Sequence, residues 1–242
     1  MPGQIEINNK KTYDDFKFKI TNLEISQPSP KLNLIELPYM NGVYDFSNVT
    51  GETKFDTREI TVEFEYDQEQ YFISDSSLIY FDFINFLYSI SSMDYFKIDY
   101  IYGLFNGRVN SISSLDMFEE TYKITVNIIA QPFRKCESFV GDDNLETMYL
   151  DYAYFQNYSF TICNENYKEI NIYNPSISKE TPTIKVKGNI TIKFKGIEYT
   201  FTEGEVTNVI RFDIGDNDIQ IKGYGEIEFI FYKEMIWCMK LD

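Results

Sequence analysis

The chain has 242 residues, 43% of them apolar and 17% aromatic, with 20 Tyr and 21 Phe, which is too apolar for a disordered segment and suits pleated sheet surfaces. Its formal net charge of −16 is shared by both halves, so no basic platform exists to neutralise phosphates and specific nucleic acid binding is not expected. With no histidine, Ser-His-Asp and Cys-His nucleophile systems are excluded and the commonest metal ligand is missing.

Ile5 and Ile7 alternate with polar neighbours up to Asn8-Asn9, residues that tolerate the positive φ of a tight hairpin. Tyr13 to Ile20 leads into a further extended run, and Ile25 to Pro30 reads as a turn. Leu32, Leu34 and Glu36 then alternate with Asn33, Ile35 and Leu37, and Asn41-Gly42 beyond Pro38 is a strong turn signal. Arg58 to Tyr66, REITVEFEY, is the clearest early strand: Ile60, Val62, Phe64 and Tyr66 share one face and Glu59, Thr61, Glu63 and Glu65 the other.

From Ser74 to Ser92 the period changes. Ile79, Phe83, Phe86, Leu87 and Ile90 fall on one helical face, with Ser74 or Asp75 placed to cap, which predicts one amphipathic helix over about 74–92. Alone it is marginal in water, so it depends on docking its aromatics against a sheet. Phe96 to Tyr102 and Phe105 to Ile112 read as paired strands around Gly103, with Asn106-Gly107 bending the second. Tyr122 to Ile128 alternate again until Pro132 removes a ladder donor and biases Gln131 to extended backbone. Pro132 marks the close of a first domain, residues 1–137, ahead of a second, 138–242.

In the second domain, Tyr158 to Ile162 and Glu169 to Tyr173 are predicted strands. Ile184 to Phe201 reads as three short strands separated by Gly188-Asn189 and Lys195-Gly196, a sandwich meander. Val209 to Phe212, Asp218 to Lys222 and Glu226 to Tyr232 continue it, with turns at Gly215 to Asn217 and Gly223 to Gly225. The predicted fold class is mainly β with one helix: a sandwich-like first domain and a compact β-sandwich from about 155 to 235.

Candidate chemistry is sparse. Cys136, Cys163 and Cys238 lack any CxxC spacing, so neither a disulfide framework nor a zinc site is predicted. Asp213 to Asp218 superficially suggests calcium, but its glycine is third where an EF-hand loop needs it sixth, and the run reads as a turn. Gly223-Tyr224-Gly225 lacks the third glycine and following helix of a phosphate loop. Acid pairs such as Asp14-Asp15 and Glu119-Glu120 are expected by chance in a chain with 38 acids and read as solvated faces. Trp237, beside Tyr232, either stacks on a sugar ring or packs over a sandwich edge. No window approaches the ~18 apolar residues of a membrane span, and the N-terminus has no apolar leader. No catalytic, metal or cofactor residue is predicted.

Several motifs lie in a particular order. Leu37-Pro38-Tyr39-Met40-Asn41-Gly42-Val43-Tyr44-Asp45 comes first, then Arg58-Glu59-Ile60-Thr61-Val62, Phe105-Asn106-Gly107-Arg108-Val109 and Ala130-Gln131-Pro132-Phe133-Arg134. Thr181 to Gly188 and Ile214-Gly215-Asp216-Asn217 follow. In this order and spacing the chain resembles the distal tail (Dit) protein family of long-tailed bacteriophages, or a related tail-like particle, over nearly its whole length. Pro38, Gly42, Asp45, Arg58, Gly107, Arg108, Pro132, Gly215 and Asn217 carry the resemblance, while Tyr39 stands where the family often has glycine. The resemblance implies a structural virion protein and no enzymatic step. It implies a ring, usually of six copies, joining tail tube to baseplate, with the first domain forming the ring. The second, galectin-like in fold alone, would be a platform for hub, receptor-binding or baseplate proteins. The alternative is a carbohydrate-binding module contacting the host surface.

Overall fold

The computed structural model describes residues 3–49, 51–67, 76–90, 92–113, 122–141 and 156–236. The chain divides into two compact units, Met1–Arg134 with Ile236–Asp242, and Lys135–Met235. It is mainly β.

The first unit contains β1 (Ile5–Ile7), β2 (Lys10–Lys11), β3 (Phe18–Ile25), β4 (Leu34–Ile35), β5 (Tyr44–Asp45) and β6 (Arg58–Tyr66). Helix α1 (Ser76–Ser89), β7 (Asp94–Ile98), β8 (Leu104–Ile112) and β9 (Lys123–Ala130) follow. An antiparallel sheet runs in the order β2-β1-β7-β8-β9-β6-β3, and β4-β5 form a separate two-stranded ribbon. Asn8 and Asn9 turn the first hairpin with φ of 52° and 62°. The alternation read in β6 and β9 is obeyed: Ile60, Val62, Phe64, Tyr66, Ile124, Val126 and Ile128 are buried.

Helix α1 docks through the predicted face, with Phe83, Phe86, Leu87 and Ile90 buried. Phe83 stacks on Phe18 at 4.2 Å and meets Phe64 edge-on at 5.4 Å, so the helix is held by rings from β3 and β6. The proposed caps Ser74 and Asp75 lie outside the described residues.

The chain crosses between the units within β10 (Arg134–Lys135) and directly after β16 (Glu234–Met235). Between them lie β11 (Ser159–Asn174), β12 (Thr183–Phe194), β13 (Ile197–Phe201), β14 (Gly204–Val206) and β15 (Gly215–Ile230). Their sheet runs β11-β15-β12-β13, with β14 also on β12.

Three sequence expectations are corrected here. Gly188-Asn189 and Gly223-Tyr224-Gly225 are not turns but lie inside β12 and β15, and the two strands predicted before Asn174 are the single strand β11. The glycines meet across the sheet: Gly188 pairs with Gly225, Ile190 with Gly223 and Asn164 of β11 with Gly223, where β11 carries an irregularity between Asn164 and Lys168. A Cβ on Gly225 would sit 1.9 Å from the Lys187 carbonyl, and φ at Gly225 is +147°. Glycine is required there because backbones approach closely, and this mimics a turn signal in the sequence. Ile184, Val186, Ile190, Ile192, Ile219, Ile221, Ile227 and Phe229, from both sides of this row, share one buried core.

Candidate functional site

The motif residues of the first unit converge on a buried arginine. Arg58 opens β6 and pairs with Ala130 of β9, which pairs in turn with Gly107 of β8. Residues opposite one another share a sheet face, so two of the smallest side chains stand beside the largest. A Cβ on Gly107 would lie 2.7 Å from the Ile129 carbonyl and 3.0 Å from Ala130, so glycine is needed at that point.

In this space Arg58 is 1% exposed. Its Nη2 donates to the Pro132 carbonyl and, at 2.9 Å, to the Ile236 carbonyl. Arg134, also buried, donates through Nη1 to the Tyr102 carbonyl, and both guanidinium groups lie over the Phe105 ring at 5.8 and 5.5 Å. A buried charge is tolerated when donors meet acceptors and the plane meets an aromatic face. The arginine-led strand, the Gly-Arg hairpin and the proline segment are thus parts of one structural clamp. Arg108 takes no part, being exposed on β8. Arg134 was missed as a site residue because its strand has only two residues and shows no period.

Pro38, Gly42 and Asp45 belong to an arm. It begins where Pro30 bridges Phe55 and is closed by the β4-β5 ribbon, with the Phe46 amide donating to the Asn33 carbonyl at 2.8 Å. Leu37 to Met40 form a turn, the Met40 amide donating to the Leu37 carbonyl at 3.3 Å. Pro38 is at its second position and Tyr39, φ 68°, at its third, the pattern of a type II turn, where glycine is favoured. Gly42 has φ +90°. The Ser47 hydroxyl and then the Ser47 amide, which donates to Asp45 at 2.8 Å, hold the Asp45 carboxyl below the ordinary value.

The arm is apolar and uncovered: Leu32 is 66% exposed, Val49 74% and Tyr39 fully. Leu34, Ile35, Leu37, Val43, Tyr44 and Phe46 are exposed as well. Sequence reasoning treated this run as an ordinary strand and turn. Its signal was the apolar content of both alternating rows, Leu32-Leu34 and Ile35-Leu37, which leaves no polar face for water.

In the second unit Asn217 is buried and closes the loop before β15. Its Nδ2 donates to the carbonyls of Asp213 and Gly215, both at 2.9 Å, and its Oδ1 accepts from the Asp213 amide at 2.8 Å. Gly215, with φ +83°, is the first residue of β15, so the run Gly215 to Asn217 expected as a turn lies in the strand and pairs with β11. Asp213 faces Lys195 at 2.6 Å and Lys179 at 3.1 Å, and these ammonium groups hold its carboxyl low. The run read as a calcium lookalike is a hydrogen-bonded entry into β15 whose acid Asp213 is matched by lysines.

A second acid group lies beside this loop, where the backbone of Glu180 bridges that of Phe212. Burial and then the adjacent Glu234 push the Glu180 carboxyl up to about 7. Ser178 Oγ lies 2.5 Å from Glu234 and 3.5 Å from Glu180. Among the described residues no group of three or more His, Cys, Asp or Glu is placed to hold a metal ion. No helix among them is long and apolar enough to cross a membrane. Cys136 is buried and Cys163 exposed. Trp237, on which sugar binding rested, and Cys238 lie outside the described residues.

The architecture is the mainly β, Dit-like fold of phage tail proteins. Among solved structures, the chain is similar to the crystal structure of SPP1 Dit, described as a paradigm of the hub adsorption apparatus in phages infecting Gram-positive bacteria. The TM-score is 0.64 at 12% identity, over 97% of this chain and 100% of that one. Chains of the phage p2 baseplate in its activated conformation also match. The form with Sr gives a TM-score of 0.41 at 12% identity over 96% and 95% of the two chains. The form with Ca gives 0.39 at 11% over 97% of each. At this identity the SPP1 likeness shows a common fold. No family model and no curated protein matches the sequence.

Proposed function

We propose that this chain is a structural virion protein of a phage tail or tail-like particle, a distal tail hub component joining the tail tube to the adsorption apparatus. The observation that carries the reading is the fold likeness to SPP1 Dit across both units. On this reading the first unit closes into a ring of six copies, and the second is a galectin-like platform for hub, receptor-binding or baseplate proteins. The protein acts by holding partners in place and catalyses no reaction.

The chemistry agrees with such a role. The motif residues Arg58, Gly107, Pro132 and Asn217 are spent on internal packing and backbone bonding, as a rigid scaffold needs, and the described residues include an uncovered apolar arm. Exposed contiguous apolar surface marks contact with another macromolecule.

The test is native mass by light scattering on the full chain, followed by electron microscopy of any large species, alone and mixed with tail tubes. Six-fold rings with a central channel are expected. A protein that stays monomeric both alone and with tubes overturns the reading.

A further inference from the structure

Among the described residues of the first unit two apolar surfaces stand uncovered, and neither covers the other within one copy. One is the arm, with Tyr39 at its tip. The other is the outer side of α1, where Leu78 and Phe81 are each 59% and Tyr88 63% exposed. At helical spacing these three share a stripe opposite the face that carries Phe83, Leu87 and Ile90 into the core. A helix with two apolar sides has one side to spare.

We propose that the arm of one copy seats on the outer face of α1 of a second copy, with Tyr39 as the anchor beside Leu78, Phe81 and Tyr88. The inference rests on the ring reading above and names its junction.

Charge favours a second copy as the occupant. Two copies of a chain with net charge −16 repel each other, and contact is least opposed where charges are sparse. The arm from Lys31 to Val49 carries only Lys31, Glu36 and Asp45, and α1 carries only Asp82. A basic partner would find better complementarity almost anywhere else on this surface.

Size agrees as well. The arm's exposed apolar side chains, Tyr39 the largest among them, present on the order of 1,000 Å². A standard interface takes roughly 800 Å² from each partner. Tyr39 itself is the third argument. It occupies a left-handed turn position at which glycine would be relaxed, yet its ring is fully exposed, so nothing within one copy uses the side chain that strains the turn. Strain of this kind is kept where a side chain serves a contact, and tyrosine is a favoured interface anchor.

The two surfaces differ, so the contact is head-to-tail. Contacts of this kind repeat around a closed ring. One arm and one helix stripe per copy suffice, whatever the number of copies.

The experiment uses the full chain with benzoylphenylalanine at position 39, irradiated and mapped by mass spectrometry, beside the variants Phe81→Glu and Tyr39→Ser. Both altered side chains are exposed, and unchanged melting temperatures confirm folding. Adducts within residues 78–88 of a second copy are expected. Phe81→Glu is expected to raise the concentration needed for assembly at least tenfold. An equimolar mixture of the two variants is expected to stop at dimers, because each mixed pair has one intact junction and no ring can close. Wild-type rings with adducts elsewhere, or rings formed equally well by Phe81→Glu, overturn the junction and leave the ring reading standing. Wild-type chains that give neither rings nor adducts, alone and with tail tubes, overturn both.

Discussion

Arg58 Nη2 donates to the Ile236 carbonyl at 2.9 Å, joining residues 178 positions apart. The same nitrogen reaches the Pro132 carbonyl, so one guanidinium ties the start of β6 to the end of the strand segment beyond β9 and to the chain's return after β16. Charge-assisted hydrogen bonds of this kind each contribute about 1.5–3 kcal/mol. Arg58→Met is expected to lower unfolding free energy by about 3 kcal/mol, since two carbonyls lose their donor. Arg108→Met, on an exposed side chain, is expected to change it by less than about 0.5 kcal/mol. Denaturant titration of both variants checks the contrast; equal effects would show that the clamp is not what holds this segment.

The glycines divide by what surrounds them. A Cβ at Gly225 meets the Lys187 carbonyl at 1.9 Å, at Gly107 the Ile129 carbonyl at 2.7 Å, and at Gly196 nothing within 4 Å. Gly107→Ala is expected to cost about 1–3 kcal/mol by overpacking. Gly225→Ala adds an unfavourable φ to a closer clash and is expected to cost more. Gly196→Ala, which meets strain without a clash, is expected to cost about 1 kcal/mol. Thermal melts of the three rank them, and a different order would refute the close-approach account.

Tyr39 occupies the turn position that prefers glycine. A non-glycine residue in the left-handed region costs about 1–2 kcal/mol, partly offset in a glycine variant by greater freedom of its unfolded chain. Tyr39→Gly is expected to slow exchange of the Met40 amide, which closes the turn on the Leu37 carbonyl, while weakening assembly. Faster Met40 exchange would show that the tyrosine is not strained.

Glu180 makes stability depend on pH. Its folded-state value of about 7 lies above its ordinary 4.5, so the folded state binds the extra proton between those limits. The group's contribution is therefore greatest below about 4.5 and declines as pH rises through 7. Solvent screening of a half-buried carboxyl reduces the full effect to on the order of 2 kcal/mol. Glu180→Gln, which cannot ionise, is expected to gain stability over wild type progressively from pH 5 to 8. A difference between the two that stays flat with pH would contradict the raised value.

Local pattern carried much of the fold. REITVEFEY alternates strictly and is β6, and Phe83, Phe86, Leu87 and Ile90 repeat at helical spacing and are the buried face of α1. Legibility failed where one local signal serves two purposes. Gly223-Tyr224-Gly225 has turn chemistry, but the same freedom lets backbones touch, and only the pairing of Gly225 with Gly188 distinguishes them. The motif residues were visible in order, while their meeting around Phe105 was not.

The sequence by itself determined the strand and helix periods, the first hairpin and the exclusion of histidine chemistry, because these depend on residues a few positions apart or on composition alone. Tertiary structure decided that Arg58 is buried, that Glu180 holds its proton toward neutrality, and that the arm's apolar rows face water. Each of these depends on what distant segments bring or fail to bring: the carbonyls of Pro132 and Ile236 to one charge, Glu234 to another, and no covering surface to Tyr39. Burial and desolvation belong to the neighbourhood, and the neighbourhood is made only when the chain closes on itself.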